Sequence, residues 1–439
     1  MPNFSRRDAL KVLGAATVAA SGVPVLDRPA AAADLKYTPE PGAELRVLRW
    51  KRFVQGDEDQ WMANTRKFTE VTGISVRVDS ENFEDIRPKA AVAANVGSGP
   101  DIVMGWFDDP HLYADKVHDL TDLADYLGGK YGGWYDIVKR YCLRDGRWIA
   151  VGMGVLGGCI TYRRSMIEAA GFKEIPGDTP SFLKLLQALK AKSTPCGFAL
   201  GNAVGDANAW CHWVVWAHGG KMVDENNKVA INSKETIAGL EYAKAMYETF
   251  VPGTLSWLDP SNNKAFLAGD ISLTLNGISI YYVAKTSKDA AVKALTSDIY
   301  HAPMPMGPVG RHTELNVFTP CFVFKYSKYP NAAKEYLRFM LEKDQYETWQ
   351  KSSLGYVQQT LKAYRSNPIW SEDPKYTPFR DIPDRTRDDG YAGQLGAASA
   401  GVMADYVMVN MVAEAASGAS SPADAAAKAE KRARRYYRT

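Results

Sequence analysis

Three short stretches set large aromatic rings beside planar polar groups: Trp50, Arg52 and Phe53; Glu81 and Asn82; Trp106, Phe107, Asp108 and Asp109. An aromatic face stacks on the apolar face of another ring, while carboxylates, amides and guanidinium groups make paired hydrogen bonds to hydroxyls. Burying such polar groups costs free energy unless an incoming molecule pairs them, which makes a site built from them selective. Recognition of a small polar molecule is the chemistry these residues offer. Bond-breaking motifs are missing: there is no Gly-Lys-Ser/Thr phosphate loop, no G-x-S-x-G elbow, no H-E-x-x-H and no dinucleotide fingerprint after the first strand. Carboxylates near the three stretches could pair as in a glycoside hydrolase, and that is the enzymatic alternative. The expectation is binding alone, with no catalytic residue, metal or cofactor.

The elements around these stretches explain why they converge. Glu44 to Trp50 reads as a strand, and the following helix carries Trp61, Thr65, Phe68 and Val71 at helical spacing before Gly73 stops it. Ile74, Val76 and Val78 alternate in a second strand, a helix follows from Phe83, and "PDIVMGW" makes a third strand. Strands separated by single helices predict a parallel sheet with helices on both faces, and ligands sit beyond the C-terminal ends of such strands. The loops after Trp50, Val78 and Met104 are those ends. A Gly-rich run over residues 147–163 predicts a crossover, and a second α/β segment follows, with helices in "TPSFLKLLQALKAK" and "NSKETIAGLEYAKAMYETF" and a strand in "ISLTLNG". "NVFTPCFVFK" is a further strand. Residues 331–352 predict one long amphipathic helix, with Ala332, Tyr336, Phe339 and Met340 on one face. Trp213 and Trp216 fall at helical spacing and read as core, with His212 and His218 structural.

At 439 residues the chain suggests two domains, and 46% hydrophobic with 23% charged residues is ordinary for a globular protein. Its formal charge is +3; taking residues 1–33 away lowers Lys+Arg from 53 to 49 and Asp+Glu from 50 to 48, leaving +1. A nearly neutral body has no field to hold nucleic acid. Residues 1–33 read as a signal peptide of twin-arginine type, with Arg6 and Arg7 ahead of a short apolar run and small residues before Asp34. No Cys follows that run, so a lipid anchor is not expected, and the mature protein is expected free in the periplasm. The five cysteines are scattered without C-x-x-C spacing, which excludes a disulfide scaffold or zinc site but leaves a single disulfide open.

Seven stretches, in order, resemble the extracellular solute-binding proteins of carbohydrate ABC importers, the group that includes maltose-binding protein. They are "FTEVTGISVRV", "ANVGSGPDIVMGW", "AFLAGDISLTLNG", "HAPMPMGPVG", "NAAKEYLRFMLEKDQYETW", "SSLGYVQQ" and "ASGASSPADAAAKAEKR". Departures include Leu273 and Thr274 where Ala and Met are commoner, and Val357 and Gln358 where Pro is frequent. The resemblance implies the α/β, two-lobed periplasmic-binding-protein fold, with interleaved lobes that each hold a central β-sheet flanked by helices. Lobe one would be 34–153 plus 309–357 and lobe two 154–308 plus 358–439. It also implies a monomer that closes over a sugar or oligosaccharide and hands it to permease subunits. A polyol, a glycerol phosphate or a polyamine is the alternative ligand. By position the acidic residue of the family that bonds sugar hydroxyls is Asp108, whose other reading is a helix cap or Asx-turn, a role Asp109 fits better. Beside Trp50, Arg52, Glu81, Asn82 and Trp106, the resemblance adds Trp210, Asn276, Tyr281 and Tyr391 as candidate ligand contacts.

Overall fold

A computed structural model describes residues 35–438; the signal-peptide reading of 1–33 lies outside the described residues. Eight strands frame the molecule: β1 (Glu44–Trp50), β2 (Ser75–Glu81), β3 (Ile102–Met104), β4 (Val151–Leu156), β5 (Cys159–Arg163), β6 (Leu273–Asn276), β7 (Ile299–Ala302) and β8 (Val317–Val323). The helices that bear on the site are α1 (Gln55–Thr72), α2 (Ile86–Val96), α3 (Asp206–Ala217), α4 (Asp259–Ala268), α5 (Ser279–Thr286), α6 (Pro330–Leu341), α7 (Lys343–Ser352) and α8 (Ala397–Ala404).

The first sheet has the order β2-β1-β3-β8-β4. The predicted β-α-β-α-β opening forms, with β1 parallel to both β2 and β3. The sheet is nonetheless mixed, because β8 runs antiparallel to β3 and β4. α1 ends as its sequence requires: Gly73 adopts φ 75°, a left-handed conformation cheap only for glycine, and its N–H donates to the Thr69 carbonyl. The second sheet, β6-β5-β7, is antiparallel throughout. Two hydrophobic cores match the two sheets, one around Val47, Ile102 and Phe322, the other around Leu185, Trp213 and Leu240. Trp213 lies in the second core, whereas Trp216 joins the first.

The chain passes between the two bodies three times, and the crossings are tied side by side. The Asn316 side chain accepts the Gly158 N–H at 2.8 Å and donates to Thr386 Oγ1 at 2.8 Å, while Gln358 Oε1 accepts the Gly157 N–H at 2.6 Å. Leu361, Tyr364, Trp370 and Phe379 pack into the first core.

The long helix predicted over 331–352 is in fact two. Glu342 is extended (φ −68°, ψ 152°), separating α6 from α7. Its carboxylate, bonded by Lys130, Tyr131 and Arg338, holds the corner. Hydropathic spacing continues through the bend, so periodicity alone misses it. All five cysteines are free and buried. Among the described residues no helix is long and apolar enough to cross a membrane, and no group of three or more His, Cys, Asp or Glu is placed to hold a metal.

Candidate ligand cleft

A narrow cavity of about 40 Å³ lies between the two sheets. One wall comes from the ends of β1 and β2 and from the loop after α7, as Phe53, Phe83 and Tyr356; the opposite wall is Gly205, Asp206, Asp259, Asn276, Gly277 and Ser279. Leu156 and Val317, beside two crossings, form the floor. Strand ends and crossings meeting at one point are where α/β folds place their ligands. Wider hollows of about 540 Å³ each lie around Arg140.

The aromatic wall is a layered stack. Trp50 and Trp106, fully buried, lie 5.1 Å apart between ring centroids; Phe83 stacks on Trp106 at 4.3 Å, and Phe53 leans on Phe83 at 5.6 Å. Phe53 is nearly parallel to Tyr356, at 8° and 6.3 Å. The tryptophans are fixed from behind: Trp50 Nε1 donates to Asp57 (3.0 Å), which also receives Arg49 (2.6 Å), and Trp106 Nε1 donates to the Phe83 carbonyl (3.0 Å). Rings anchored in this way give a rigid platform whose half-exposed front is Phe53 and Phe83.

The polar wall is built from helix starts. The Asp259 carboxylate accepts the backbone N–H groups of Gly205 (3.1 Å) and Asp206 (2.7 Å), capping the start of α3 from another helix. Asp206 Oδ2 accepts Asn262 Nδ2 at 2.6 Å. Asn276 donates to Asn263 (2.5 Å) and accepts from Ser279 Oγ (2.7 Å). Burial, then the neighbouring Asp259 charge, pushes the Asp206 carboxyl above its ordinary range. Burial raises Asp259 to about 6 against the opposing pull of the Asp206 and Gly205 N–H groups.

The two bodies touch on both sides of the cavity. The Gly56 N–H in α1 donates to the Tyr282 hydroxyl of α5 at 2.8 Å, and Ser399 Oγ of α8 donates to Asp108 Oδ2 at 2.6 Å. A Cβ at Gly56 would lie 1.9 Å from the Ser352 carbonyl oxygen, so only glycine allows this approach.

Of the ten residues expected from sequence, the cavity is lined by Asn276. Trp50 and Trp106 stand one layer behind it. Arg52 is exposed and donates to Gln55 (2.6 Å), Glu81 pairs with Lys89, and exposed Asn82 donates to Asp85 (2.9 Å). Trp210 is buried in the second core, its Nε1 on the Ala199 carbonyl at 2.6 Å. Tyr281 points to Asp373 (2.6 Å), and Tyr391 lies under Arg387 and against Trp216. Asp108 is buried between the bodies on Ser399, while Asp109 accepts the Trp106 N–H (3.0 Å) and Arg87 (2.6 Å). Sequence reasoning missed Phe83, Asp206, Asp259, Ser279 and Tyr356. Asp259 did carry a signal, since "LDPSN" is a helix-start pattern.

Two α/β bodies joined by three crossings, with a walled cavity between them, define the two-lobed periplasmic-binding-protein class. The chain belongs to the bacterial extracellular solute-binding protein family, whose model matches residues 63–378. No curated protein matches it by sequence. Among solved structures it is similar to maltose-bound MalE3 of T. maritima (TM-score 0.76, 18% identity, covering 89% of this chain and 99% of that one). It is also similar to the GacH receptor of Streptomyces glaucescens, solved unliganded and with acarbose (0.75, 17%, 91% and 99%). A third similar structure is an ABC transporter solute-binding protein of Agrobacterium radiobacter in complex with ribitol (0.74, 16%, 91% and 100%).

Proposed function

We propose that this protein captures a sugar or oligosaccharide in the cavity between Phe83 and Asp206 and delivers it unchanged to the permease of an ABC importer. The observation that carries this reading is the pairing of an anchored aromatic face with a wall of carboxylates and amides. That combination suits a ring with an apolar face and a belt of hydroxyls. Similar folds hold maltose, acarbose and ribitol, which supports the class of ligand. No cation lines the cavity among the described residues, which counts against a glycerol phosphate.

The lobes expected from the sequence are 34–153 with 309–357 and 154–308 with 358–439; the lobes we propose move 358–386, which packs into the first core, to the first of these and leave 387–439 in the second, hinged at Gly157–Gly158, Asn316 and Thr386. One lobe holds the solute, and the other swings over it. Export by the twin-arginine reading of residues 1–33, and work as a free periplasmic monomer, complete the proposal. A thermal-shift panel of sugars, polyols, polyamines and glycerol phosphate tests it, since a ligand that binds only the folded state raises the melting temperature. A sugar is expected to give the largest shift. Conversion of a glycoside to products, read by chromatography, would overturn the transport reading in favour of an enzyme.

A further inference from the structure

The cavity wall carries two carboxylates and, among the described residues, no Lys, Arg or His. Every hydrogen bond these carboxylates receive comes from a neutral dipole: the Gly205 and Asp206 N–H groups for Asp259, the Asn262 amide for Asp206. The charged groups around them do not supply a counter-ion. Glu84, on the turn after β2, adds negative charge near Asp259. Arg87 of α2 is taken by Asp109 at 2.6 Å, Arg49 by Asp57 at 2.6 Å, and Arg52 turns out to Gln55. Tyr356 and Tyr406 are the remaining titratable neighbours, and neither brings positive charge. Opposite lie the aromatic faces of Phe53, Phe83 and Tyr356, which attract a cation as well as an apolar ring.

We infer that the natural solute carries a protonated amine on a sugar-like ring, its ammonium seated on Asp206 and its ring on Phe83. This rests on the reading of the cavity as a sugar site and narrows it to amino sugars. Asp206 is the seat because it is half-exposed at the cavity wall, whereas Asp259 is buried and committed to the start of α3. Burial raises both carboxyls, Asp259 to about 6, so the empty pair holds a proton more firmly than free carboxyls do, and an ammonium group displaces it.

The experiment is calorimetry of the mature protein with glucosamine, galactosamine and mannosamine, each beside its neutral parent hexose and its N-acetyl form, from pH 5 to 8. At least one amino sugar is expected to bind ten-fold or more tighter than both neutral counterparts. The amino-to-parent affinity ratio is expected to rise with pH through about 6, and the binding enthalpy to depend on the buffer because a proton is released. Taking the ratio cancels any effect of pH on lobe closure. Asp206→Asn is expected to bring the ratio near one. The pH and buffer dependence of the wild-type protein reads the same point should that variant fail to fold. Neutral hexoses binding as tightly as their amino forms would overturn the amine while leaving the sugar site standing. Tighter binding of putrescine than of any sugar, or no binding by any sugar, would overturn both.

Discussion

At the scale of single residues, the aromatic wall separates binding from stability. Phe83 is half-exposed toward the cavity and stacked on Trp106 at 4.3 Å, whereas Trp106 is wholly enclosed. Phe83→Ala is expected to weaken the bound sugar about ten-fold, a loss of about 1.4 kcal/mol, by removing the stacking face. It should lower unfolding free energy in urea by about 1–2 kcal/mol. Phe83→Leu should recover much of the stability and little of the affinity; equal recovery of both would make Phe83 a packing residue only. The sequence made the chemical palette of the site legible, aromatic rings with planar polar groups near strand ends, but not which members face the ligand. β1 is a central strand covered on both faces, so its last four residues are all buried and alternation no longer tells cavity from core. Trp50 and Trp106 thus read as cavity residues, although both are fully buried and stand one layer behind its wall. Asp206 and Asp259, 53 residues apart, become neighbours through the packing of two helix starts, which no local pattern encodes.

At the scale of elements, the parts of the fold governed by local rules were readable and those governed by contacts were not. The opening strands and helices followed periodicity and glycine stops, and the strand expected in "ISLTLNG" forms as β6. The corner at Glu342 depends on Lys130, Tyr131 and Arg338 collecting one carboxylate, and two of those lie more than 200 residues away. The first turn of α1 shows the same dependence. Gly56 lets the helix press against the end of α7, and Asp57 beside it gathers Arg49, Trp50 and Trp349. Gly56→Ala forces a side-chain carbon onto the Ser352 carbonyl, so α1 must back away. The expected cost is about 1–3 kcal/mol in chemical denaturation, as for other overpacked sites. Because the Gly56 N–H meets Tyr282, ligand affinity should fall as well. A variant as stable as the wild type would show that this contact is looser than described.

At the scale of the whole molecule, the contacts across the cavity set how easily the lobes part. Tyr282→Phe removes one acceptor that only the closed arrangement uses and should lower affinity several-fold, about 0.5–1.5 kcal/mol, with faster ligand release. The opposite side is held by a different device. Asp108 from the loop after β3 faces Asp389 from the segment beyond the third crossing, with Ser399, Tyr141 and Asp388 around them. Burial raises both carboxyls, and the charge of Asp388 helps lift Asp389 to about 7. In the unfolded chain Asp389 titrates near 4, so between about pH 4 and 7 the folded protein holds the extra proton. Stability from this group is therefore full below pH 4 and is lost as pH rises through 7. An Asp389→Asn variant, which cannot ionise, should match the wild type at or below pH 4 and gain on it as pH rises to 8, by up to about 4 kcal/mol in urea denaturation. A stability difference independent of pH would mean that Asp389 is already charged, and that a cation or water within the lobe junction balances it.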